Sequence, residues 1–102
     1  MNKDDKILGL IGLAQKAGMI VSGEFSCEKA IKNHTAKLVI VAKDASDNTK
    51  KSFSDSCTFY KIDYTEFSTK DSLGHCIGKQ FRASLAITDE KMAANILEKM
   101  NS

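Results

Sequence analysis

Between Asp4 and Ala17 the apolar positions Ile7, Leu10, Ile11 and Ala14 recur at helical spacing, which predicts an amphipathic helix stopped by Gly18. "MIVS" at 19–22 then predicts a short buried strand, and Gly23 opens a second helix to about Asn33. Cys27, Ala30, Ile31 and His34 form the expected core stripe of that helix. The continuous β-branched run "KLVIVAK" at 37–43 predicts a strand buried on both faces. A polar helix is expected at 46–56 and a third strand at "TFYKI", 58–62. Ser68 and Asp71 form a capping-box-like pair ahead of a helix that ends near Gly78. "FRASLAIT" at 81–88 predicts a fourth strand, and Asp89 caps a last helix lined by Met92, Ala93, Ile96 and Met100.

Helices and strands thus alternate with short connections, which predicts an α/β fold: a three-layer α-β-α sandwich around a small mixed four-stranded sheet. With 102 residues, no proline, no linker and no repeat, the expected organisation is one domain, 1–102, with a modest core. No apolar run approaches the roughly 20 residues that span a bilayer, and no signal-peptide pattern opens the chain, so the expected location is the cytoplasm. A net charge of +2 decides little, and a nucleic-acid reading must rest on where the cations sit.

Cys27, Cys57 and Cys76 are far apart and without a CxxC pair, so they read as small buried hydrophobes in a reducing compartment. His34 and His75 offer no ligand spacing with them, and neither a metal nor a cofactor is expected. Asp44, Asp47, Asp63, Glu66 and Asp89 fall at turns and helix starts, where carboxylates act as caps, and no acid–base pair converges. The chemistry points away from an enzyme.

The outward side of the second helix is more informative. Phe25, Lys29 and Lys32 share it, flanked by Ser22, Ser26 and Asn33. A solvated face with one stray aromatic is the ordinary explanation. The alternative is a binding surface: a helix start after a glycine favours an anionic or acceptor ligand, two lysines add charge, and Phe25 can stack on a base. Lys43 and Asp44 sit where the 37–43 strand ends, a common place for ligand contacts and equally for a solvated exit. Lys79 and Arg82 bracket Phe81, which suits phosphate contact and stacking, although Phe81 can also be core. Lys50 and Lys51 read as solvation.

The Gly23–Lys29 frame "GEFSCEK", the segment "AKLVIVAKDAS" and the segment "LGHCIGKQFRASLAITD" together resemble the large-subunit ribosomal protein seven-Ae family, the kink-turn RNA binders, and in particular its small bacterial YlxQ-like members. The resemblance spans about residues 5–98 and rests on order and spacing rather than on one motif. It implies an α-β-α sandwich without catalytic activity that grips sheared G·A pairs in a sharply bent RNA. Gly23 and Lys29 match the family's glycine and lysine, and Ile77–Arg82 match its apolar loop before the last strand. The family reads G-x-N-E-x-x-K, with Asn and Glu on guanine edges, whereas this chain has Phe25 and Ser26 there. Each good side-chain–base pair is worth roughly 1–3 kcal/mol of discrimination, so the substitutions imply a different specificity.

The expected function is therefore non-enzymatic binding of structured RNA, kink-turn-like or ribosomal, with ribosomal proteins as further partners. The expected surface comprises Gly23, Phe25, Ser26, Lys29, Lys32, Lys43, Asp44, Lys79, Phe81 and Arg82. The competing reading is a protein-interaction or self-association module in which Phe25 and Phe81 serve as apolar anchors.

Overall fold

The computed structural model describes residues 2–102. Its elements alternate in the expected order: α1 (Lys3–Lys16), β1 (Ile20–Ser22), α2 (Glu24–Lys32), β2 (Leu38–Val41), α3 (Asp47–Tyr60), β3 (Asp63–Glu66), α4 (Lys70–Cys76), β4 (Ser84–Ile87) and α5 (Glu90–Asn101). The sheet is four-stranded and mixed, in the order β1-β4-β2-β3. β4 runs antiparallel to both β1 and β2, with Ser22 opposite Leu85 and Val41 opposite Ser84, while β2 and β3 are parallel. Helices α2 and α3 pack on one face and α1, α4 and α5 on the other, completing the three layers.

The continuous apolar run of β2 has its physical cause in this arrangement. It is flanked by strands and covered by helices on both faces, so Leu38, Val39, Ile40 and Val41 are all fully buried. Each side chain of this size contributes roughly 1.5–3 kcal/mol on burial. β1 lies at the edge and is half-buried along its length, less covered than its composition predicts.

Several boundaries differ from the sequence expectation. Thr58–Tyr60 continue α3 rather than forming a strand at 58–62, because Phe53, Cys57 and Tyr60 follow i, i+4, i+7 and extend one stripe into the core. Lys61 then takes a left-handed φ of 59°, and strand pairing starts only at Asp63. The aromatic and β-branched residues of "TFYKI" carry a β preference that this packing overrides.

The strand expected over 81–88 is confined to Ser84–Ile87. Residues 79–82 bond instead to α4: the Lys79 N–H donates to the Gly74 carbonyl (2.9 Å) and the Arg82 N–H to the Lys70 carbonyl (3.0 Å). His34 is not in the core stripe. The helix ends at Lys32, His34 takes a φ of 64° and is exposed, and Ala36 fills the buried position. The helix cap near Ser68 is made one residue later, where the Thr69 hydroxyl accepts from the Ser72 N–H (3.1 Å). At the last helix, Asp89 accepts from the Met92 N–H (2.9 Å) as its sequence position predicts.

Candidate nucleic-acid interface

β1, β2 and β3 all point toward one end of the sheet, and β4 starts there. The residues that leave the first three strands and enter the fourth are therefore neighbours in space. Backbone bonds knit them together: Gly23 N–H to Ser84 O (3.1 Å), Ala42 N–H to Ala83 O (2.9 Å) and Lys43 N–H to Ser68 O (2.9 Å). Helices α2, α3 and α4 all begin at this same end, so the positive ends of three helix dipoles converge on it.

These helix starts are not equivalent. Ser46 caps α3 and Thr69 caps α4 with side-chain oxygens, as Asn2 and Asp89 do for α1 and α5. Among the described residues, only α2 begins without a side-chain cap. Its N-cap is Gly23 at φ 92° and ψ 157°, a conformation that L side chains rarely adopt. The first N–H groups of α2 consequently face outward with no internal acceptor, as a phosphate or carbonyl ligand requires.

The outer face of α2 is as the sequence orders it. Phe25 is 80% exposed, and with Lys29 and Lys32 it lines a shallow groove of about 410 Å³. Ser26 is exposed in the first turn. Glu28 turns toward α3, where its carboxylate accepts from the Ser56 hydroxyl (3.3 Å). Lys32 lies seven positions beyond Phe25, about 10 Å further along the helix, so it extends the surface rather than joining the strand-end cluster.

The second wall is the loop before β4. Gly74, in the middle of α4, lets this loop pass directly over the helix: a Cβ there would lie 1.8 Å from the Gln80 carbonyl oxygen and 2.7 Å from the Phe81 Cα. Held in this way, Phe81 is 61% exposed, with the Lys70 ammonium 5.7 Å from its ring centroid. Arg82 reaches across to β1, where its Nε donates to the Ser22 Oγ (3.2 Å), and its Nη1 donates to the Phe81 carbonyl (3.0 Å). The remaining guanidinium donors are left for an outside acceptor.

The structure therefore brings Gly23, Phe25, Ser26 and Lys29 to the same sheet end as Lys43, Asp44, Phe81 and Arg82, with Lys79 in the adjoining turn. Asp44 acts there as a brace: its Oδ1 accepts from the Lys70 N–H (2.9 Å) and ties α4 to the exit of β2. Lys70 is the residue that the sequence did not single out. It stands at a helix start with no neighbouring motif, and only the fold sets it against Phe81.

The cysteines are free, and burial dominates their chemistry. Desolvation pushes the Cys27 thiol up to about 12 and those of Cys57 and Cys76 up to about 11, so all three stay protonated at neutral pH.

Fold and surface together define an α/β sandwich that presents an uncapped helix start, lysines and exposed aromatics at one end of its sheet. The chain belongs to the ribosomal protein L7Ae/L30e/S12e/Gadd45 family, whose model matches residues 5–98. It is 42% identical over 88 residues to the RNA-binding protein YlxQ of Bacillus subtilis (strain 168), a match covering 86% of this chain and 88% of that one. It is 38% identical over 93 residues to the RNA-binding protein YlxQ of Enterococcus faecium, covering 91% and 89%. A solved Bacillus halodurans C structure, described as a protein with unknown function, superposes with a TM-score of 0.92 at 32% identity, covering 95% of this chain and 98% of that one. The Giardia lamblia 15.5kD RNA binding protein shares the fold, with a TM-score of 0.82 at 21% identity, covering 97% of this chain and 88% of that one.

Proposed function

We propose that residues 1–102 act as one non-enzymatic, cytoplasmic domain that binds structured RNA, kink-turn-like or ribosomal, at the sheet end described above. The observation that carries this reading is the meeting of the uncapped α2 start with the Lys70–Phe81–Arg82 loop, joined by the Arg82–Ser22 bond. The names of the two YlxQ relatives support it, and no helix among the described residues is long and apolar enough to cross a membrane.

In this reading the α2 N–H groups and Lys29 meet acceptors at the bend of the RNA, and Arg82, Lys43 and Lys79 meet phosphates. Phe25 and Phe81 offer stacking faces to bases. A protein-interaction module is the weaker reading. Lys29 flanks Phe25, and Lys70, Lys79 and Arg82 flank Phe81, whereas the centre of a protein interface is depleted of lysine.

The test is a titration with a hairpin RNA whose bulged internal loop is closed by sheared G·A pairs, beside an uninterrupted hairpin. The bent RNA is bound more tightly, and equal binding of the two contradicts the proposal. Phe25 and Ser26 tune the preference. Both are exposed, so Phe25→Asn with Ser26→Glu restores the G-x-N-E-x-x-K frame without disturbing the core. Affinity for the G·A hairpin rises by about tenfold or more in that double variant. No rise means that α2 does not meet the G·A pairs.

A further inference from the structure

A groove of about 1,210 Å³ runs between α1 and α4 to the 77–81 turn, on the opposite layer from α2. Resting on the RNA reading above, we propose that this groove receives unpaired nucleotides that flank the bent RNA element. Its floor is opened by Gly9 and Gly12. A Cβ at Gly12 would stand 3.1 Å from the Cys76 carbonyl oxygen, marking how closely the helices meet, while one at Gly9 would touch nothing within 4 Å. Its apolar lips are Leu13, 58% exposed, and Phe81, 61% exposed.

Three features select unpaired RNA as the occupant. First, the groove shares Phe81 and Lys79 with the proposed sheet-end surface, so a strand leaving the bend enters it directly. Second, the lining carries Lys16 and Lys79 against a single carboxylate, Asp71, among the described residues, and Gln15 and Gln80 supply amides for base edges. Third, the surface is concave and largely apolar, which suits exposed base faces. The bases of a duplex are stacked and covered and would leave it unused. The volume exceeds the roughly 300–1,000 Å³ typical of a small-molecule site, which fits more than one nucleotide. A partner helix is disfavoured by lysines at the rim, since interface cores are depleted of them.

The test compares the G·A hairpin with and without an unpaired oligouridine tail of about six nucleotides at either end. One tail raises the affinity of the wild-type protein about tenfold, the scale of stacking one base on an apolar or aromatic side chain. Leu13→Glu and Lys16→Glu, both at exposed positions outside the sheet-end surface, abolish that gain and leave the tail-less hairpin bound as before. Unchanged binding of the tail-less hairpin also shows that the variants are folded. The proposal is overturned if neither tail adds affinity while the hairpin binds, or if the gain survives both substitutions. It is also overturned if sedimentation of RNA-free protein shows a dimer that Leu13→Glu dissolves, which assigns the groove to a second copy. Loss of hairpin binding altogether overturns the RNA reading and this proposal with it.

Discussion

Gly74→Ala unfolds at a lower urea concentration than the wild type and binds RNA about tenfold more weakly. Alanine normally favours a helix interior over glycine by about 1 kcal/mol, so propensity alone predicts a gain. Packing reverses the sign. The new methyl would sit 1.8 Å from the Gln80 oxygen, 2.5 Å from its carbonyl carbon and 2.7 Å from the Phe81 Cα, all of them backbone atoms that no rotamer change can move. Overpacking costs typically about 1–3 kcal/mol, and here relief requires lifting residues 80–81 off α4. That displacement also breaks the registration of Phe81 with Lys70 and of Arg82 with Ser22, which links stability to binding. A variant with unchanged midpoint and affinity would show that the loop does not lie on α4 as described.

The second large effect concerns charge. Lys29→Ala combined with Arg82→Ala lowers affinity for the G·A hairpin by about a hundredfold, taking each side chain as one charge-assisted contact worth about 1.5–3 kcal/mol. If both meet phosphates, the slope of log affinity against log salt becomes shallower by nearly two. Stability falls little, because the one side-chain bond lost within the protein, Arg82 to Ser22, is worth about 1 kcal/mol. Lys50 and Lys51 provide the control. They lie on α3, where Lys50 pairs with Glu66 (3.7 Å) and Lys51 with Asp55 (3.3 Å), and their replacement by alanine leaves affinity and salt slope unchanged. The same losses in both pairs of variants would mean diffuse attraction rather than a defined surface.

What the sequence made legible was whatever is written locally. The run at β2, the apolar spacing of α1 and the Asp89 cap of α5 each lie within a few consecutive residues, and the structure keeps all three. The α2 face was legible for the same reason, since Phe25, Lys29 and Lys32 follow helical spacing on one short helix. "TFYKI" misled because its β preference is a statement about composition, while the position of Phe53 and Cys57 under the sheet decides that the helix continues. The 81–88 strand was overextended because the competing bonds to Gly74 and Lys70 come from another element. Lys70 and the Asp44 brace were invisible for a like reason. The Asp44–Lys70 bond spans 26 positions and the Arg82–Ser22 bond spans 60, separations at which periodicity carries no information.

The RNA surface itself is tested most directly by following backbone amide resonances of the labelled protein while the G·A hairpin is added. Binding at the sheet end shifts Gly23 to Lys29, Lys43, Lys70 and Lys79 to Arg82, while the exposed His34 and Phe59, at the other ends of α2 and α3, stay in place. Shifts concentrated at His34, Phe59 and Tyr60, with the α2 start and the 79–82 loop unmoved, would contradict it.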